Sequence, residues 1–313
     1  MNTKTFEYIV GEAIKAPSGH NSQPWKFHFA DDSTIELIPD FSRSLPVGDP
    51  GNRELYISVG CAVENLCLAA QQVKLASDVS ISPEKVIVHF SPANHTEIRP
   101  TTGMIASRQT NRGTYDGTII PAEYIRLLVT MSGAKIFANG SHEFGIITNF
   151  VEKAGENLIN DDAYKEELKT WMRYNKDQAE ASGDGLSYDV FEAPNMPLWI
   201  SAPVMNYMIN ATAQIKMEHK KIMSSSHIAL LIAKERTMEG FIELGRTLER
   251  FLLKATTLNV ATAFINQPCE VPEIANDLRK ALLLRDNPDI LLRLGHANPA
   301  ARSRRRPLQS FII

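Results

Sequence analysis

Two stretches of this chain, SVGCAVENLCLAAQQVKLA (58–76) and ELGRTLERFLLKATTLNVA (243–261), lie over one another without a gap at an offset of 185 residues. Gly60 meets Gly245, Glu64 meets Glu249, Leu68 meets Leu253, Ala70 meets Ala255 and Ala76 meets Ala261, and six of the other fourteen positions set apolar on apolar. A self-match at a fixed spacing marks an internal duplication. Chance likeness between two buried helices is the alternative these residues leave open. In the first stretch, apolar positions 59, 63, 66, 70 and 73 recur at helical spacing, and the other faces are also mostly apolar. A helix from about Leu55 to Leu75 is therefore expected to be buried nearly all round, with a second from about Glu239 to Val260.

With 313 residues, the chain can build one large core or two ordinary ones. Apolar residues at 6, 9, 10, 13 and 14 predict an opening helix. It should stop near Ala16, because Pro17 disfavours helical geometry in the residue before it. KFHFA (26–30) and TIELIP (34–39) read as a hairpin of strands, and residues 39–53, with three prolines and two glycines, as a loop. EKVIVHF (84–90), AKIFA (134–138), IALLIA (228–233) and PDILLRLGHA (288–297) read as strands, and PAEYIRLLVTM (121–131) as a proline-led helix. Residues 143–180 look helical, and 183–199 form an irregular segment long enough to be a lid. The pattern is that of a duplicated α+β protein.

Composition excludes several classes. A net charge of −3 argues against a polyanion as main partner, so no nucleic acid is expected. Cys61, Cys67 and Cys269 form no paired spacing, which supports neither a structural zinc site nor a disulfide framework and fits a reducing compartment. Glu7 and Glu12 interrupt what would have to be an apolar signal core. The longest apolar stretch holds Glu64, Asn65, Gln71 and Gln72, costly groups in lipid. A cytoplasmic protein without membrane association is the expectation.

Two segments carry chemistry. In SRQTNRGTY (107–115), Arg108, Thr110 and Arg112 alternate; in an extended backbone all three point to one side, and two guanidinium forks with a hydroxyl suit a phosphate. A solvated turn that happens to hold two arginines is the duller account. In EAIKAPSGHNSQPWKF (12–27), Asn21 and Gln23 each offer a donor and an acceptor, which matches the edge of a planar heterocycle, and Ser18 adds a hydroxyl. The duller account is a capping loop whose polar groups satisfy backbone. Together the two segments spell a phosphorylated heterocycle, a nucleotide or a flavin. Arg302, Arg304, Arg305 and Arg306 form the only dense basic run, followed by an apolar end suited to docking. The eight histidines show no HExxH spacing, no serine-hydrolase elbow is present, and neither GxGxxG nor GxxxxGK[ST] occurs.

At these residues the chain resembles the FMN-dependent nitroreductases. EAIKAPSGHNSQPWKF is similar to their A-P-S-x-x-N-x-Q-P-W-x-F signature, SRQTNRGTY to the R-x-S-x-R segment that opens them, and LLRLGHANPAARSRRRPL (291–308) to their C-terminal pattern. Here the arginine segment follows the A-P-S motif instead of preceding it. That order resembles the longer, Acg-like branch, in which two nitroreductase-like halves are fused.

The resemblance implies a nitroreductase-like α+β fold, with mixed, mainly antiparallel sheets flanked by helices. Its two fused halves, 1–104 and 105–313, would form a pseudo-dimer with a lid at about 160–200. It also implies FMN held by Pro17, Ser18, Asn21 and Gln23 from the first half and by Arg108, Thr110, Arg112, Arg304, Arg305 and Arg306 from the second. No residue is assigned as general acid or base, because flavin N5 carries the chemistry; backbone groups near Ser18 or in FINQP (264–268) would address it. After the 121–131 helix no N-x-Q-P-W follows, so one chain should hold at most one flavin. The implied activity is an oxidoreductase working by ping-pong transfer from NADH or NADPH to a nitro compound or quinone. A flavin-binding or sequestering protein without turnover is the alternative, and association of the pseudo-dimeric monomer into a further homodimer stays open.

Overall fold

The computed structural model of the chain describes residues 2–93, 102–209 and 212–313. Its helices are α1 (Thr3–Ala13), α2 (Arg53–Gln72), α3 (Ala122–Ser132), α4 (His142–Asn160), α5 (Asp162–Trp171), α6 (Lys176–Ser182), α7 (Leu198–Ile209), α8 (Thr212–Met223), α9 (Met238–Thr257), α10 (Gln267–Glu270) and α11 (Pro272–Ala281). Its strands are β1 (Trp25–Asp31), β2 (Thr34–Pro39), β3 (Leu75–Ile81), β4 (Val86–Pro92), β5 (Lys135–Ala138), β6 (Met172–Arg173), β7 (Leu186–Ser187), β8 (His227–Leu231), β9 (Ala261–Phe264) and β10 (Ile290–Gly295).

Two compact units result, each assembled from non-contiguous segments. The first comprises Met1–Arg108, Lys234–Thr257 and Arg305–Ile313; the second comprises Gln109–Ala233 and Leu258–Arg304.

In the first unit α1 leaves helical geometry before Pro17, as the residue-before-proline rule requires. The antiparallel sheet β1-β2-β4-β3 follows. Trp25 faces Pro39 and Phe27 faces Leu37, and alternation sends Trp25, Phe27, Ile35 and Leu37 into the core at 0% exposure. Phe27 also forms an isolated parallel bridge to Ile312, and Ile313 N donates to Phe27 O at 3.0 Å, so the C-terminal segment lines the free edge of β1. Helix α2 ends at Gln72, short of the expected Leu75. Lys74 takes φ +60° and turns the chain into β3, whose backbone groups pair with β4.

The two matching helices, α2 and α9, pack on each other within this unit. Gly60 and Gly245 sit at their crossing. A Cβ built on Gly60 would lie 2.0 Å from Ile242 O and 2.9 Å from Gly245 Cα; one built on Gly245 would lie 2.0 Å from Ile57 O and 2.9 Å from Gly60 Cα. Ile57 and Ile242 also differ by 185 positions, so the contact is reciprocal residue for residue. That reciprocity is the local geometry of a two-fold crossing, in the register that the sequence match gives.

The second unit carries the antiparallel sheet β5-β8-β10-β9, with β8 and β10 buried along their full length. Phe144, Ile147 and Val151 of α4 pack on Ile228 and Leu230 of β8, Leu291 of β10 and Leu278 of α11. The helical stretch expected over 143–180 is divided by caps into α4, α5 and α6. Asp161 accepts from Ala163 N and Tyr164 N, and Asn175 accepts from Gln178 N. The 183–199 segment is more ordered than its composition predicts. Met172, Leu186, Tyr188 and Met205 form a cluster of their own, and a short parallel β6-β7 pair closes it. Helices α7 and α8 occupy a stretch for which the sequence pattern offers no assignment.

Candidate functional site

In the first unit, the loop from Pro17 to Gln23 is drawn tight. His20, Asn21 and Gln23 take φ values of +49°, +55° and +54°, left-handed geometry that costs non-glycine residues energy and persists only where neighbours enforce it. The enforcement is visible. Ser18 Oγ accepts from Gln23 N at 2.9 Å, and Gln23 Nε2 donates to Asn21 O at 3.2 Å. Arg306 N donates to Gln23 Oε1 at 3.1 Å, and its Nη2 to Gln23 O at 3.0 Å, while its guanidinium lies 4.3 Å from the centre of the Phe311 ring.

Arg305 does the most. Its Nε donates to Ile14 O at 2.7 Å, Nη2 to Lys15 O at 2.8 Å and Ala16 O at 2.9 Å, and Nη1 to Asn21 Oδ1 at 2.8 Å. These carbonyls follow the end of α1, where the helix offers them no donor of its own. Burial, reinforced by the neighbouring Arg108, pushes the Arg305 guanidinium down to about 9, with Glu249 pulling the other way. Arg108 Nη2 reaches the same Lys15 O at 3.1 Å, and its Nε lies 3.5 Å from Glu249 Oε1. The polar crowd after α1 thus holds the C-terminal segment. Pro17 is buried and Ser18 half-buried.

In the second unit a different cluster forms. Arg112 is half-buried, its guanidinium 5.9 Å from the Phe191 ring centre, and its Nη1 is buried without a hydrogen-bond partner among the described residues. Burial lowers its pKa, Glu218 opposing and Arg293 adding. Burial likewise lowers Lys221, with Glu218 and Glu192 opposing and Arg293 and Arg112 adding. Arg293 is 2% exposed, stacks 4.0 Å from the Tyr115 ring centre, and donates to Asn111 O at 3.1 Å and Gly113 O at 2.8 Å. Thr110, half-buried, precedes them. Three cations against two carboxylates, with one buried N–H unspent among the described residues, leave a surplus of positive charge suited to an anionic oxygen. Arg293 and Lys221 do not emerge from motif spacing; the signal for Arg293 was a lone charge inside the apolar strand ILLRLG.

Alternation predicts that Arg108, Thr110 and Arg112 converge. The structure assigns Arg108 to the first unit and the other two to the second. Arg304, also of the second unit, reaches Asp189 with Nη1 at 3.2 Å from Oδ1 and 2.9 Å from Oδ2. Asp189 accepts from Ser187 Oγ at 2.6 Å, and nearby Arg173 grips Asp184 at 2.6 Å. Both members of the Arg304–Asp189 pair are partly exposed, so Arg304→Ala should cost under ~1 kcal/mol of global stability. It should nonetheless speed limited proteolysis between residues 172 and 191; an unchanged cleavage pattern would show that the pair does not hold that segment.

Among known proteins, a Mycobacterium tuberculosis H37Rv protein bearing the provisional name NAD(P)H nitroreductase Rv3131 is 24% identical over 333 residues, spanning 100% of this chain and 93% of its own length. A second from that organism, provisionally named NAD(P)H nitroreductase acg, is 24% identical over 332 residues, spanning 98% and 95%. Among solved structures, a provisionally named nitroreductase of Anabaena variabilis superposes with a TM-score of 0.52 at 9% identity, covering 94% of this chain and 88% of that one. No family model matches the chain. The fold is therefore the nitroreductase-like α+β fold, carried over nearly the full length of the chain.

Proposed function

We propose that this chain, which is similar to the Acg-like nitroreductases, is an FMN-dependent NAD(P)H oxidoreductase. The observation that carries the proposal is the buried, unpartnered Arg112 Nη1 among Arg293 and Lys221. An anionic oxygen of a phosphorylated, reducible ring satisfies that donor and offsets the surplus positive charge. FMN when bound supplies hydride acceptance and donation.

The chain's own residues bind and orient. In the second unit Arg112 and Thr110 offer charge and a hydroxyl, and Arg304 secures Asp189; in the first, Ser18 offers its O–H beside Pro17 on a loop held by Asn21, Gln23, Arg305 and Arg306. Arg108 fixes the end of α1. Within this proposal, NADH or NADPH and then a nitro compound or quinone use the cofactor in turn, and the halves 1–104 and 105–313 are the fused ancestral subunits. No helix of the described residues is long and apolar enough to cross a membrane.

The test is an absorption spectrum after adding FMN and desalting, then anaerobic NADH or NADPH. Retention near one FMN per chain, bleached by a nicotinamide, is expected. Arg112→Ala should weaken FMN binding roughly 10- to 100-fold, the share of one charge-assisted hydrogen bond; unchanged affinity removes Arg112 from the site. The folded, ion-paired segment at 172–191 favours one second reading, a flavin-sequestering protein, for which FMN is retained and no nicotinamide bleaches it.

A further inference from the structure

The pseudo-two-fold relation between α2 and α9 is broken at its glutamates. Glu64 Oε2 receives Arg246 Nε at 3.2 Å and Arg250 Nη1 at 2.9 Å. At the offset of 185, the positions that should serve Glu249 are Cys61 and Asn65. Cys61 Sγ donates to Gly245 O at 3.2 Å, so its proton does not serve the Glu249 carboxylate. Asn65 and Glu249 are both 0% exposed, and Arg108 is 8% exposed.

Around this place five polar atoms are buried with no well-formed hydrogen bond among the described residues, Asn65 and Glu249 only approaching one another: Asn65 Nδ2, Asn65 Oδ1, Arg108 Nε, Glu249 Oε1 and Glu249 Oε2. Arg108 Nε faces Glu249 Oε1 at 3.5 Å, too long for a good hydrogen bond. Leaving such groups unmet is costly, and native proteins meet them with ordered water. The set has a definite valence: Asn65 Nδ2 and Arg108 Nε donate, while Asn65 Oδ1 and a Glu249 oxygen accept. One water molecule takes two and gives two.

We infer that Asn65, Arg108 and Glu249 form a binding site for a buried water molecule, which joins them into one proton-exchanging group behind the end of α1. Burial pushes the Glu249 carboxyl up to about 7, Arg108, Asn65 and Arg305 pulling it down and Glu64 pushing it up. Cys61, the remaining titratable neighbour, stays a thiol because burial raises it well above its ordinary value. The protonation state of Glu249 sets the charge facing Arg108 and Arg305, which share the Lys15 carbonyl two residues before Pro17.

Two measurements on the full chain decide it. A crystal structure that resolves ordered water should show one density peak bonded to all three side chains. Direct Asn65–Glu249 and Arg108–Glu249 bonds with no peak between them overturn the site. The second is Glu249→Gln, which keeps the neutral form at every pH. Folded Glu249 holds its proton up to about 7 against an ordinary 4.5, so the folded state binds the extra proton between those values. The associated stability is full below 4.5 and is lost as pH rises to about 7. The Tm advantage of Glu249→Gln over the natural chain should therefore grow as pH rises from ~5 to ~7 and level off above. A Tm difference of either sign that does not vary with pH overturns the proton-exchanging role.

Discussion

Gly60→Ala should lower the free energy of unfolding by more than ~3 kcal/mol, the upper range for overpacking, because the clash is with backbone. The added methyl would stand 2.0 Å from Ile242 O, an atom fixed in the hydrogen-bond ladder of α9, so the helices must move apart along their whole crossing. Gly245→Ala meets Ile57 O at the same 2.0 Å and should cost about the same. Together the two should be markedly less than additive, since the second methyl enters an interface that the first has opened. Gly155 of α4 is the control: nothing lies within 4 Å of its added Cβ, and Gly155→Ala should stabilise by roughly 0.5–1 kcal/mol through helix propensity. Urea unfolding of the four variants measures all of this. If Gly60→Ala behaved like Gly155→Ala, the crossing described above would be wrong.

Arg305→Met is the second large effect, ~3 kcal/mol. One guanidinium serves the carbonyls of Ile14, Lys15 and Ala16 and the amide oxygen of Asn21. Methionine preserves the apolar stem and removes every donor. Some of these oxygens can take water in the half-buried variant, which keeps the loss below the sum of four charged hydrogen bonds. The left-handed turn at His20, Asn21 and Gln23 loses its main outside support, so amide exchange should quicken across residues 14–23 well before global unfolding. Lysine at 305 should recover little, because an ammonium lacks the planar fork that reaches four acceptors. Unchanged exchange in that window would mean that the loop is held by its own bonds.

Much of this was legible in the residues, and the gaps have physical causes. The paired glycines, the hairpin of β1 and β2, and the apolar strands β8 and β10 follow from spacing and burial alone. Strand β3 was hidden because its residues continue the apolar run of α2, and only the turn at Lys74 separates them. The ordered 172–191 segment was hidden because its stability comes from Arg173 with Asp184 and a small apolar cluster, contacts that leave no periodic trace. At the site, Asn21 and Gln23 stand out as a concentration of amides, yet composition cannot say whether amides face a ligand or a distant part of the chain. Here each makes bonds to residues more than 280 positions away. Asn65 and Glu249 were visible as polar residues in apolar helices, and only the failed pairing at the pseudo-axis gives them a role.

The segment Arg305–Ile313 has a consequence for biosynthesis. It supplies the donor for the end of α1 and borders the edge of β1, so the first unit needs residues that leave the ribosome after the entire second unit has been made. Co-translational folding from the N-terminus cannot finish this unit. During elongation, β1 presents an open edge rich in Phe and Trp, the kind of surface that chaperones engage and that aggregates when left waiting. Closure joins positions 291 residues apart, so the last step of this unit's folding should be slow.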